Sequence, residues 1–126
     1  APRSPEEMTG WPRYPLVEDR ERRAFEGYVD ATRMGIGHGC GRFARVERVE
    51  RPVRLDWEFA PYGPGTLWVD GSPVAAVRAT TFAVVGEGVV LPVVLSPGAH
   101  VITVDACSAQ GRAGFYLLER ARASGS

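Results

Sequence analysis

Apolar and polar residues alternate most clearly over 53–59, where Val53, Leu55, Trp57 and Phe59 are separated by Arg54, Asp56 and Glu58. A period of two belongs to a strand with one buried and one wet face. Trp57 is therefore expected in a core, and Asp56 and Glu58 on a wetted face opposite arginines. Further strands are expected at 66–70, 74–79, 81–85, 89–95, 99–106 and 115–119, all short and mostly rich in Val, Thr or aromatic residues. Turn residues punctuate them at Asp70-Gly71, Gly86-Glu87-Gly88 and Ser96-Pro97-Gly98. Asp70-Gly71 signals a hairpin, and Pro97-Gly98 suits the centre of a type II turn. Pro92 cannot donate to a ladder, so its strand is an edge or carries a bulge. Short strands spaced by turns in this way predict an all-β, antiparallel sandwich or barrel.

Before residue 53 the pattern is weaker. Residues 1–23 read as an irregular N-terminal arm packed on the domain, 24–120 as the sandwich and 121–126 as a frayed tail. Ser4-Pro5-Glu6-Glu7 carries the signature of a capping box with Pro at the first helical position, and Gly10 and Pro12 stop that helix after one turn. Trp11 and Tyr14 put two aromatic rings on the arm, and Glu18 to Arg23 is a mixed charge run that reads as a solvated loop. A strand is expected at 25–31. The run 34–41, with Gly at every second position, lacks the Lys-Ser/Thr ending of a phosphate loop and reads as a bent strand or a close-passing loop. In 42–50 the three-residue spacing of Phe43, Val46 and Val49 allows a short helix, but the surrounding strands favour β.

Composition narrows the class. At 126 residues and 13.7 kDa the chain makes one domain with a real core. Its 15 basic and 15 acidic residues cancel, so no basic stripe draws it to nucleic acid. No apolar run reaches the length of a membrane span, and no membrane insertion is expected. Every basic residue apart from the two histidines is Arg, and Asn is absent, as a G+C-rich bacterial genome would produce. The chain starts at Ala1 without Met, which fits either a mature secreted protein or an excised domain.

Cys40 and Cys107 are the only cysteines. In a small extracytoplasmic β domain they are most simply one disulfide, with two buried thiols as the alternative. Adding His38 and His100 would make a tetrahedral zinc set, but the spacing is not that of a finger or ribbon. His100, at a turn exit, is expected to point outward. Serines fall only in termini and turns, no nucleophile elbow is present, and His38 and Cys40 are not set for proton transfer. Asp56 and Glu58 have the residue types of a glycosidase pair, though exposed structural carboxylates explain them more simply. Trp68 is out of phase with Leu67 and Val69, on the side of Asp70. It either caps a second layer of core or stands beside Tyr62 as a stacking platform. An aromatic face with a neighbouring acid is what sugar recognition needs.

The residues G-T-L-W-V-D-G-S-P-V at 65–74 and V-V-L-P-V-V-L-S-P-G-A-H-V-I-T-V-D at 89–105 resemble the lectin-like domain first described in anthrax protective antigen. They are also similar to jelly-roll carbohydrate-binding modules, and F-E-G-Y-V at 25–29 looks like an early strand of the same domains. The resemblance implies a jelly-roll-like sandwich that binds carbohydrate. Calcium-dependent members carry a pair of Asp residues before the equivalent of the L-W-V-D-G strand. Here that loop is P-Y-G-P-G and supplies no acid, so Asp70 alone cannot build a calcium cage. The expectation is thus a non-catalytic, secreted or extracytoplasmic binding or accessory module without a cofactor or metal. Its contacts would be Trp68, Tyr62, Asp70, Trp11 and Tyr14, and its partner a glycan. The alternative is an assembly domain of the cell envelope that binds a protein through an apolar strand face or the edge near Pro92.

Overall fold

The computed structural model of the chain describes residues 1–12, 28–32, 38–78 and 86–120. Among these, eight strands form two four-stranded antiparallel sheets. The strands are β1 (Tyr28–Asp30), β2 (Cys40–Val49), β3 (Val53–Tyr62), β4 (Gly65–Val69), β5 (Ser72–Val77), β6 (Val89–Leu95), β7 (Gly98–Cys107) and β8 (Gly114–Arg120). One sheet has the order β1-β8-β3-β6 and the other β2-β7-β4-β5. First pairs with eighth, second with seventh, third with sixth and fourth with fifth, so the chain is one long antiparallel ribbon doubled at the β4–β5 turn. Additional pairing of β3 with β8 and β4 with β7 rolls that ribbon into two sheets. This is the connectivity of a jelly roll. The expected all-β sandwich is the fold.

Alternation decides which residues the sheets enclose. Trp57 and Phe59 of β3, Leu91, Val93 and Leu95 of β6, and Phe115 and Leu117 of β8 line the inner face of one sheet. Leu67 of β4 and Ile102, Val104 and Ala106 of β7 line the other. Phe43 of β2 reaches across to Phe115, with ring centroids 5.8 Å apart and planes tilted by 55°. Trp57 is 2% exposed, as its phase requires. Region 42–49 is strand, and its register against β7 is unbroken from Cys40–Cys107 to Val49–Gly98. Cys40 and Cys107 face each other at the end of this ladder and are joined by a disulfide.

Asp70 and Gly71 form the two-residue hairpin loop, both at positive φ (50° and 82°), the backbone that such hairpins require. Pro92 lies on an edge strand whose pairing with β3 runs without a shift. The P-Y-G-P-G loop is shorter than the sequence indicates, since β3 continues through Ala60, Pro61 and Tyr62. Pairing with β6 ends at Phe59–Val89, so Pro61 has a ladder on the β8 side only and its missing N–H is tolerated.

The wetted-face expectation fails at Glu58, which is 2% exposed. The residues leading into β6 fold over it. Glu58 Oε2 accepts N–H bonds from Gly86 at 2.5 Å and Gly88 at 3.3 Å, and Arg120 Nη1 lies 3.5 Å from Oε1. Gly88 makes this approach possible, because a Cβ there would lie 2.7 Å from the Phe59 carbonyl oxygen. The strand expected at 81–85, the start of the one at 25–31, the first half (34–37) of the glycine run at 34–41, the charge run at 18–23 and the tail at 121–126 fall outside the described residues.

Candidate functional site

The outer face of the β2-β7-β4-β5 sheet carries the chemistry. Along β7, Ile102, Val104 and Ala106 point inward, so Val101, Thr103 and Asp105 point out. Register sets Arg42 of β2 and Thr66 of β4 on either side of Asp105, and Ala44 and Trp68 on either side of Thr103. Arg42 and Asp105 form a bidentate pair, with Nε 2.6 Å from Oδ1 and Nη2 2.9 Å from Oδ2. Trp68 Nε1–H donates to the same Oδ2 at 3.0 Å, and the Arg42 guanidinium lies 5.9 Å from the centre of the Trp68 ring. The bond from Arg42 is the chief cause that holds the Asp105 carboxyl below its usual range. The Arg42 charge and the indole N–H add to it, while partial burial opposes it. The result is a planar cation, an acid and a half-buried aromatic locked together, with the Arg42 side chain 41% exposed.

Toward the other end of this face the N-terminal segment is seated on the sheet. Its one helical element, the 3-10 turn Pro5–Met8, contacts β7, Pro2 is buried, and Arg3 packs beside Gly71. The Glu7 carboxylate accepts the backbone N–H groups of Arg3 and Ser4, which fixes that turn. Val101 and Thr103 are fully buried although they point away from the core. Thr103 Oγ1 has no hydrogen-bond partner among the described residues.

Of the five residues expected to bind ligand, the four that are described are not gathered in one place. Trp68 is on the outer face as its phase indicates, but half-buried and engaged through its N–H. Asp70 spends both oxygens internally, accepting Val101 N–H at 2.8 Å on Oδ1 and meeting His100 Nδ1 at 2.6 Å on Oδ2. Tyr62 ends β3 in the opposite sheet, in phase with Glu58 and Ala60 on that sheet's outer side, so it does not stand beside Trp68. Trp11 is 37% exposed on the arm. Tyr14 falls outside the described residues.

His100 also departs from expectation. It is 9% exposed, with Nδ1 on Asp70 and Nε2 2.6 Å from the Ser96 carbonyl oxygen. It sits on the inward side of β7, in phase with Ile102, and the turn residues close over it. His100 lies near the start of β7 and Cys107 at its end, with both sulfurs bonded to each other, so the four residues of the zinc set do not converge.

Arg42 and Asp105, the partners that define the Trp68 site, do not stand out in the sequence. A signal is nevertheless there. Once Cys40 and Cys107 are taken as a cross-strand pair, counting two residues inward along each strand sets Arg42 opposite Asp105. Among the described residues no helix is long and apolar enough to cross a membrane, and no three or more His, Cys, Asp or Glu side chains are grouped to hold a metal ion. Compared with protein families, curated proteins and solved structures, the chain matches none of them.

Proposed function

We propose that the protein is a non-catalytic extracytoplasmic binding module whose ligand-contacting face is the outer side of the β2-β7-β4-β5 sheet, and that the ligand is a neutral glycan. The observation that carries the reading is the Arg42–Asp105–Trp68 array. Asp105 neutralises Arg42, so the pair offers the unused guanidinium N–H donors and the one remaining lone pair of Asp105 Oδ1 at fixed spacing without net charge. Vicinal hydroxyls match such a surface, whereas an anion would meet Asp105 repulsively. The exposed part of the Trp68 ring supplies apolar area for sugar C–H groups. The disulfide suits an oxidising compartment. Catalysis has no support in the cysteines, which are bonded to each other, or in His100, whose two ring nitrogens are both occupied.

The test is a glycan array with affinity electrophoresis in neutral and acidic polysaccharide gels, using wild type, Arg42→Ala and Trp68→Ala. Expected are retention by a neutral polysaccharide, independence of calcium, and loss of retention in both variants. Arg42→Ala should retain the fold, because a half-exposed ion pair contributes at most about 1 kcal/mol. A blank array, or retention unchanged in Arg42→Ala, removes this reading.

A second reading, an assembly domain bound to a protein, draws on β6. Val90 and Val94 are 52% and 71% exposed and flank Pro92 on the outer side of an edge strand. An extended apolar segment of a partner would complete that edge. Site-specific cross-linking from position 94 in the native host would yield one discrete adduct on this reading and none on the first.

A further inference from the structure

His100 is held between two acceptors that have no proton to give. Asp70 Oδ2 lies 2.6 Å from Nδ1, and the carbonyl oxygen of Ser96 lies 2.6 Å from Nε2. A carboxylate and a carbonyl can only accept, so both bonds exist together only when both ring nitrogens carry protons. The two partners belong to different sheets. Asp70 is in the β4–β5 turn, whereas Ser96 is in the link by which the chain leaves edge strand β6 for β7. We propose that His100 is a proton-dependent clasp that, as imidazolium, ties the β6–β7 link to the β4–β5 turn and closes one end of the sandwich.

The carboxylates around the clasp favour the cation, and the one guanidinium near it, on Arg3, opposes it from farther off. Asp70 contacts it directly, from the β4–β5 turn. Glu47, its register partner on β2, is paired with Arg45 at 2.9 Å. From the N-terminal segment, Arg3 packs beside Gly71, one residue beyond Asp70. Ser96 contributes only its carbonyl. The bond to Asp70, then that to Ser96, raise the His100 pKa above its ordinary value of about 6.5, and burial opposes them.

When the ring loses a proton it keeps one N–H, and the charge-assisted bond to Asp70 is the stronger claimant. Nε2 then turns a lone pair on the Ser96 carbonyl at a distance that fits only a hydrogen bond. The Ser96-Pro97 link must move away, and the β6 edge is released at its C-terminal end. Asp70 keeps Val101 N–H, so the hairpin itself stays closed.

Because the folded pKa is raised, the contribution is complete below about pH 6.5 and is lost as pH rises through the folded value. The folding constant is lower on the alkaline plateau than on the acid one by the same factor by which the folded state holds the proton more tightly. The test uses the two histidines as internal controls, titrated by imidazole NMR in wild type and in His38→Gln. Expected are a His100 pKa above that of a free imidazole, both ring nitrogens protonated at pH 6, and faster amide exchange in 96–100 above the transition once base catalysis is corrected. Urea midpoints should fall between pH 6 and pH 9 in wild type and stay level in His100→Gln. A His100 pKa at or below 6.5, or a neutral tautomer at pH 6, overturns the clasp. So does an equal fall in the His100→Gln variant. If that variant does not fold, the wild-type titration and exchange decide alone.

Discussion

Replacing Glu58 with Ala removes a buried carboxylate that accepts two backbone N–H groups and meets Arg120. The 2.5 Å bond from Gly86 is charge-assisted and contributes about 2–3 kcal/mol net, while the longer bond from Gly88 falls near the low end, about 1 kcal/mol. Arg120 is half exposed, so its contact at 3.5 Å adds well under about 1 kcal/mol after screening. The sum is about 3–4 kcal/mol, or roughly 10–15 °C in melting temperature for a domain of this size. Glu58→Gln keeps an acceptor oxygen at the same reach and should lose about 1–2 kcal/mol, the charge-assisted part. The assay is urea unfolding followed by tryptophan fluorescence, where Trp57 is the adjacent residue on the same strand. Wild type, Gln and Ala should rank in that order. Ala within about 0.5 kcal/mol of wild type, the range of ordinary surface changes, would refute the reasoning. Equal losses in Gln and Ala would show that the charge, not the acceptor, holds the loop.

Other outcomes follow from the same geometry. Gly88→Ala should destabilise by about 1–3 kcal/mol, because the new methyl meets the Phe59 carbonyl oxygen and Ala60 Cβ within 3 Å; a melting curve that overlays wild type would contradict the close approach. Alkylation without reductant should add no groups to the native or denatured protein, and reduction should cost about 4 kcal/mol in the chain-entropy model; two labelled thiols without reductant would reject the bond. Asp105, its pKa depressed chiefly by Arg42, should contribute stability that is complete above the ordinary carboxyl value of about 3.9 and is lost as pH falls through the folded value. Arg42→Ala should therefore flatten the acid limb of stability below about pH 4, and an unchanged acid limb would show that the pair contributes nothing.

The fold was legible because its signals are local. The phase of Trp57 and Leu67, the Asp70-Gly71 turn and the bounds of β6 can each be read from a few neighbours. The site was less so, because it depends on who lies opposite whom. Trp68 could be assigned to the outer face from its own strand, but its N–H partner is on β7 and its guanidinium on β2. Glu58 was misplaced for a related reason. Alternation says which way a side chain points, not whether a loop later in the chain returns to cover it. At His100 a turn exit reads as solvent in the sequence, whereas two turns converge on it in the fold. Tyr62 and Trp68 are close in sequence, but the turn at Gly63-Pro64 carries the chain from one sheet to the other between them.

The doubled-ribbon connectivity has a consequence for how the protein is made. β4–β5 is the only pairing among the described strands that joins close neighbours in sequence through a hairpin, while β1 must wait for β8 and β2 for β7. Contacts of such high order make for slow folding. During synthesis one sheet cannot be completed before β7 has emerged, nor the other before β8. The nascent domain would then stay unfolded until its late strands are available, and Cys40 would remain a thiol until β7 has been delivered to it.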